Sequence, residues 1–286
     1  MNKKSSFRSL IERDEILVLP AAHDALSARL IETAGFEAYF VGGFQIAGVH
    51  FGVPDVGLIG LGDIAPIARN IVGASSLPFM MDIDDGYGDL KNVVRTLHTY
   101  EDMGAGCVFM EDQVSPKRCG HMAGKRIIPI EDMAAKLRVA ARERRDPDTF
   151  IIARTDAIAT DGMDEALRRA EAYLEAGADG LFIEAPEMVD DLLAIPGKFG
   201  APVLANMLEG GKTPILKPKE LEDAGYALAI YGLHLLMRMT RIMEEMLADL
   251  KSGELELTGK GSSFEEFKAA VGFDDWTRIE KLGVRA

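Results

Sequence analysis

Gly106-Cys107-Val108-Phe109-Met110-Glu111-Asp112 is the stretch on which the fold turns. Its apolar run is too short for an ordinary helix and ends at once on two carboxylates, so it reads as a strand buried on both faces with a charged C-terminal end. In parallel α/β proteins that end is where chemistry is done.

The same phrase recurs on both sides of it. Short runs rich in Val, Ile and Phe at 16–22, 38–43, 79–84, 107–112, 150–156, 180–185, 202–208 and 227–232 read as strands. They alternate with helical periodicity at 24–33, 62–72, 90–103, 130–145, 163–175, 188–198, 218–223 and 233–250. Ala34-Gly35-Phe36, Met103-Gly104-Ala105, Ala176-Gly177-Ala178 and Ala224-Gly225-Tyr226 each close a helix before a strand, with glycine at the left-handed position beyond the helix. Eight such units predict a (β/α)8 TIM-type barrel over residues 1–251, with an open doubly wound sheet as the alternative. Residues 252–286 do not fit a ninth unit. They carry a helical pattern at 264–271 with Trp276 and Ile279 beyond it, and predict a C-terminal helical extension packed on its own barrel or on a neighbouring subunit in a homo-oligomer.

Of the 286 residues 46 are acidic and 32 basic, a net charge of −14, which argues against nucleic acid or an anionic membrane as partner. A small anionic substrate is not excluded, because a local arginine, lysine or divalent ion holds a carboxylate inside an acidic protein. With no apolar window long enough to span a membrane and only two cysteines, Cys107 and Cys119, the chain is expected to be cytoplasmic and free of disulfides.

The predicted strand ends carry Asp82 and Asp84, Glu111 and Asp112, Arg154 and Asp156, Glu184, and Asn206, and in a barrel these ends converge. Strand alternation puts Asp82 and Asp84 on one side. With Glu111 they form an oxygen-only cluster suited to Mg2+, or Mn2+, rather than Zn2+; the alternative is a solvated acidic rim. Arg154 reads as a clamp for a substrate carboxylate or as an internal partner of Glu184 or Asp156. Cys119 lies among Lys117, Arg118, Gly120 and His121, an electropositive loop in which a thiol ionises or donates a proton. Cys107 reads as packing, and His23, His50, His98 and His234 as structural or surface residues.

These motifs resemble the isocitrate lyase and phosphoenolpyruvate mutase superfamily over nearly the whole chain. The resemblance rests on Asp82-Ile83-Asp84-Asp85-Gly86-Tyr87-Gly88, Glu111-Asp112-Gln113 with Lys117-Arg118-Cys119-Gly120-His121, Ala153-Arg154-Thr155-Asp156-Ala157 and Glu184-Ala185-Pro186. Val53-Pro54-Asp55-Val56-Gly57 and Asn206-Met207-Leu208-Glu209-Gly210-Gly211-Lys212-Thr213-Pro214 add to it. It implies a barrel whose last helix is exchanged between paired subunits in a tetramer, a dimer of dimers, with Mg2+ as cofactor. It further implies that Asp82 and Asp84 hold the metal with Glu111 beside them, that Gly42 and Gly43 offer N–H groups to a substrate carboxylate, and that Arg154 pairs with substrate oxygens. Glu184 and Asn206 would line the pocket, Asp55 would close over it, and Cys119 would protonate the departing carbon, on a loop that Gly120 lets move.

The Lys-Arg-Cys-Gly-His loop looks like the branch that cleaves carbon–carbon bonds. The segment from Glu209 to Pro214 and the Val114-Ser115-Pro116 spacer look closer to lyases of alkylmalates and oxaloacetate-like acids than to 2-methylisocitrate lyases. The expectation is therefore cleavage of a 2,3-dimethylmalate-like acid to pyruvate and a short carboxylic acid such as propionate. The alternatives are 2-methylisocitrate lyase, oxaloacetate hydrolase or decarboxylase, and phosphonate mutase or hydrolase. Relatives often carry serine where this chain has Gly42 and threonine where it has Asp85, so the carboxylate cradle and the charge near the metal are expected to differ from theirs.

Overall fold

The apolar runs form eight parallel strands: β1 (Leu17–Pro20), β2 (Tyr39–Val41), β3 (Phe79–Asp82), β4 (Cys107–Glu111), β5 (Phe150–Thr155), β6 (Gly180–Ile183), β7 (Val203–Asn206) and β8 (Leu228–Tyr231). The computed structural model describes residues 6–283. Successive strands from β2 to β8 pair in chain order, and β8 pairs back onto β1 with Leu17 opposite Leu228. The seam between β1 and β2 is held by a parallel bridge, Ala21 to Phe40, and by the Ala22 N–H donating to the Phe40 carbonyl at 2.9 Å. The sheet thus meets itself as a barrel, and the doubly wound alternative falls away.

The helices are α1 (Phe7–Ile11), α2 (Ala25–Thr33), α3 (Gly43–Ile46), α4 (Leu61–Val72), α5 (Leu90–Glu101), α6 (Ile130–Glu143), α7 (Ile158–Asp161), α8 (Met163–Glu175), α9 (Val189–Ala194), α10 (Pro218–Asp223), α11 (His234–Ser252), α12 (Phe264–Ala270) and α13 (Phe273–Leu282). The glycines expected to end helices do so in left-handed backbone, with φ of 86° at Gly35, 88° at Gly104, 106° at Gly177 and 95° at Gly225. Three short helices were not foreseen: α1, α7, and α3 with the π turn that follows it, Ala47–Phe51. Because α3 begins at Gly43, the strand expected over 38–43 stops at Val41.

Alternation along each strand divides the core in two. Leu17, Leu19, Phe40, Met80, Phe109, Ile152, Phe182, Leu204 and Ile230 point into the barrel with Cys107, whose burial pushes its thiol far above the usual range; Val108, Met110, Ile151 and Ala153 point out against the helices. The N-terminal end of the barrel is stopped by Phe7, Leu10 and Ile11 of α1. Gly106 makes room for this plug, since a side chain there would run into the Phe7 side chain.

The last helices are less well covered. Leu236 is the one buried residue of α11, whereas Ile242, Met243, Leu247 and Leu250 are exposed, as are Phe264, Trp276 and Leu282 beyond it. The extension touches its own barrel where Arg29 Nε of α2 donates to the Ala270 carbonyl at 2.7 Å. No helix among the described residues is long and apolar enough to cross a membrane.

Phe7 is only 2 % exposed, so Phe7→Ala is expected to lower stability by about 3 to 5 kcal/mol in urea unfolding, the range for emptying a buried aromatic site. A loss under about 1 kcal/mol, within the spread of ordinary point mutants, contradicts the plug.

Candidate active site

One step above the inner apolar layer, the same alternation brings charge to a point. Phe40 stacks on Phe109 with ring centroids 5.7 Å apart, and Phe182 meets Phe109 edge-on at 5.5 Å. The next inward positions are Asp82, Glu111, Arg154, Glu184 and Asn206, and they line a single pocket with Asp55, Lys117, Cys119, Gly120 and His121. The β4–β5 register sets Glu111 opposite Arg154.

Arg154 is the hub. Its Nε and Nη2 donate to Asp156 Oδ2 and Oδ1 at 3.0 and 3.1 Å, Nη2 lies 3.4 Å from Glu111 Oε2 and 3.7 Å from Glu184 Oε1, and the guanidinium sits 5.1 Å over the Phe182 ring. The internal ion pair to both Asp156 and Glu184 is therefore present. Burial would raise Asp156, but Arg154 and Lys125 hold it at about 2. Burial would also raise Glu184, yet Arg154 and then His121 keep it below the ordinary value, and Asn206 Nδ2 donates to both its oxygens at 3.3 Å.

Asp84 departs from the expected geometry. It lies beyond the end of β3 with φ of 48°, so strand alternation does not place it; its N–H donates to Asp82 Oδ1 at 2.9 Å. Lys117 Nζ bridges Asp84 Oδ1 at 2.7 Å and Asp55 Oδ1 at 2.5 Å. Burial would lower the Lys117 ammonium, but Asp84 and the acids around it hold it well above its usual value, so it stays charged. In this position it is the counter-ion of both carboxylates.

His121 is likewise turned toward acid. Its Nδ1 accepts the Lys212 N–H at 2.9 Å, which puts the proton of a neutral ring on Nε2, 3.0 Å from Glu184 Oε1 although poorly aligned as a hydrogen bond. Gly211 permits this approach, because a side chain there would meet the His121 ring at 2.6 Å.

With Lys117 and His121 engaged elsewhere, the electropositive surrounding expected for Cys119 is not built. Burial pushes the thiol up, against a lesser pull from a backbone hydrogen bond at His121, so it keeps its proton. The Cys119 N–H donates to the Asp55 carbonyl at 3.2 Å. Gly120 is required by close approach more than by mobility, since a side chain there would strike the Arg154 guanidinium and the Glu184 carboxylate. Gly42 and Gly43 enter α3; a side chain on Gly43 would stand 3.4 Å from Asp84 Oδ1.

The acids left over bear on a cation. Burial, then Asp84, pushes Asp82 up to about 7; burial keeps Glu111 well above the carboxylate range despite Arg154 and Lys117, and Glu111 Oε1 is buried without a hydrogen-bond partner. Among the described residues no three His, Cys, Asp or Glu side chains gather into a ready metal cage, so Asp82, Asp84 and Glu111 do not close on one point. Under-compensated oxygens of this kind fit a hard divalent ion that keeps waters and takes one or two carboxylates.

Sequence reasoning missed Lys125, whose ammonium lies 2.7 Å from Asp156 Oδ1. A lysine 31 residues from its partner, in a loop without periodicity, gives no local signal. The other histidines are structural, as expected: His50 Nε2 lies 2.9 Å from the His23 carbonyl and His98 Nε2 2.7 Å from that of Glu143, while the His234 ring meets Tyr231 edge-on.

Comparison with known proteins agrees with this geometry. The model of the phosphoenolpyruvate phosphomutase family matches residues 7–251. The chain is 39% identical to 2,3-dimethylmalate lyase of Eubacterium barkeri over 282 residues, covering 98% of each chain. It is also 39% identical to 2-methylisocitrate lyase of Bacillus subtilis (strain 168) over 290 residues, covering 98% of this chain and 95% of the relative. Among solved structures, oxaloacetate acetylhydrolase with the inhibitor 3,3-difluorooxalacetate superposes with a TM-score of 0.93 at 28% identity, over 99% and 98% of the chains. Phosphonopyruvate hydrolase with oxalate and Mg++ gives 0.89 at 28%, over 100% of both. The chain belongs to the phosphoenolpyruvate phosphomutase family, within the PEP mutase/isocitrate lyase superfamily, and is an enzyme, a carbon–carbon lyase by its named relatives.

Proposed function

We propose that the enzyme splits a substituted malate, of the 2,3-dimethylmalate kind, into pyruvate and a short carboxylic acid. The observation that carries this reading is the place of the Cys119 thiol, half-buried and raised above its ordinary value by desolvation, on the wall of a pocket that also holds Arg154 and the strand-end acids. A cleavage that leaves an enolate needs an acid aimed at the new carbanion-like carbon, and a half-buried thiol on the pocket wall is such an acid. The Eubacterium barkeri relative supports dimethylmalate; 2-methylisocitrate is the second reading, because the Bacillus subtilis relative is equally similar.

In this scheme a carboxylate takes the proton of the substrate's C2 hydroxyl, the C2–C3 bond breaks, C2 becomes the 2-oxo acid, and the electron pair left on C3 takes the proton of Cys119. Glu184 is committed to Arg154, His121 and Asn206, whereas Glu111 Oε1 has no hydrogen-bond partner, which makes Glu111 the acceptor of the hydroxyl proton. Gly42 and Gly43 receive the carboxylate beside C2, Arg154 the oxygens that gain charge, and Asp55, tied to the Cys119 loop, excludes water. Asp82 and Asp84, with Glu111 beside them, are the residues that would hold a Mg2+ ion, whose positive charge would keep these carboxyls ionised and would offset charge developing on the substrate.

Supplied with Mg2+ and 2,3-dimethylmalate, the enzyme is expected to release pyruvate, and Cys119→Ser to lower kcat by about 10² to 10⁴, the usual worth of a positioned acid. If none of the candidate acids yields a 2-oxo acid, the lyase reading fails and the oxaloacetate-hydrolase and phosphonate readings take its place; if Cys119→Ser cleaves at the parent rate, the thiol is not the acid.

Saturating Mg2+ is expected to raise Tm by several degrees, since an ion at about a hundred times its Kd adds about 2.7 kcal/mol of stability. The shift should vanish in Asp82→Ala. An equal shift in parent and variant places the ion elsewhere.

The barrel of residues 1–251 and the extension of 252–286 are proposed to act as catalytic unit and docking arm. The exposed apolar side chains of α11, α12 and α13 favour cover by a second subunit, with the last helix exchanged and two such dimers in a tetramer. Light scattering at micromolar concentration should give four chains; a monomer overturns this assembly.

A further inference from the structure

We propose that Lys125 is a positioning residue that fastens the Cys119 loop to the Arg154 clamp, so that one buried ammonium sets both the proton donor and the anion site. The inference rests on the reading of Cys119 as the acid.

The loop leaves and rejoins the end of β4 through a closed neck. Gln113 and Ile127 form an antiparallel bridge, the Val114 N–H donates to the Arg126 carbonyl at 2.8 Å, and the Ile128 N–H donates to the Asp112 carbonyl at 2.8 Å. Just inside the neck, Lys125 turns inward and is only 7 % exposed. Its Nζ donates to the carbonyl of Gly120, the residue after Cys119, and to Asp156 Oδ1 at 2.7 Å. Asp156 also accepts both donors of Arg154. The far end of this chain is rigid: the Asp156 N–H is held by Asp112 Oδ1 at 3.0 Å, and Asp112 Oδ2 takes Thr155, Tyr173 and Arg169 at 2.7, 2.8 and 3.1 Å.

Arg154 shares its charge among Asp156, Glu111 and Glu184, so Lys125 acts as a second counter-ion to Asp156. What it adds beyond charge is a link from Asp156 to the Gly120 carbonyl. Other bonds hold the loop elsewhere: Gln113 pins both the Arg118 N–H and carbonyl, and Asp55 takes the Cys119 N–H. Among the described residues Lys125 is the connection from the Gly120 peptide to the end of β5. To swing the loop away, this ammonium must give up charge-assisted hydrogen bonds in a buried place, which makes it a latch on the loop.

The test reads Cys119 directly. Iodoacetamide labelling of parent, Lys125→Met and Lys125→Arg is followed at Cys119 and at Cys107 by peptide mass, with Cys119→Ser as blank, alongside kcat, KM and Tm. Lys125→Met should label Cys119 about tenfold faster, the weight of one charge-assisted hydrogen bond on a local opening equilibrium, with Cys107 in the inner core unchanged. Its kcat should fall by a similar factor with little change in KM, and Lys125→Arg should restore part of the protection. Labelling of Cys119 at the parent rate overturns the proposal, and so does equal acceleration at Cys107, which marks general loosening. Should Lys125→Met not fold, Lys125→Ala takes its place, faster labelling at Cys119 supporting the latch and the parent rate refuting it. The labelling needs no substrate, so failure of the lyase reading is told apart from failure of the latch.

Discussion

The pocket depends on the compensation of buried acid by Arg154. Four strands deliver Asp82, Glu111, Asp156 and Glu184 to one end of the barrel, each nearly or wholly withdrawn from water. Carboxylates so placed repel one another and lose hydration, a penalty that only a matched cation offsets. A planar guanidinium serves where an ammonium cannot, because it reaches Asp156 with two bonds and still faces Glu111 and Glu184.

From that pairing the proton states follow. Glu184 and Asp156 sit close enough to Arg154 to remain ionised, Asp82 and Glu111 are under-compensated and lie above the ordinary carboxylate range unless a further cation joins them, and Lys117 has its own acids in Asp55 and Asp84. The thiol of Cys119 is left with burial and no dedicated cation, which suits an acid and not a nucleophile. The pocket thus separates acids that Arg154 and Lys125 compensate from acids on the β3 and β4 side that are left for a hard cation, with the thiol apart from both.

The barrel was legible in the sequence because each strand is a short apolar run bounded by turn residues, and α2, α5, α8 and α10 are each followed by a glycine that takes positive φ. The convergence of Asp82, Glu111, Arg154, Glu184 and Asn206 was legible for the same reason: period-two alternation past an inner Phe or Leu leaves the next residue facing in. What failed lies where periodicity ends. Asp84 sits in a turn, so alternation assigned its side for the wrong reason; α1, α3 and α7 are too short to show a helical period. Lys117, His121 and Lys125 belong to an irregular loop whose partners are distant in sequence, so adjacency to Cys119 suggested an electropositive thiol site that the fold instead spends on Asp55, Asp84, Glu184 and Asp156. Gly120 read as a hinge, although its missing side chain is demanded by Arg154 and Glu184.

The central claim, that a fixed side chain hands the proton to the carbon released by cleavage, is tested most directly by running the reaction on 2,3-dimethylmalate in deuterium oxide and analysing the propionate. A donor held in one place is expected to leave a single deuterium at C2 in one configuration. Propionate with deuterium in both configurations, or with none, would contradict the account.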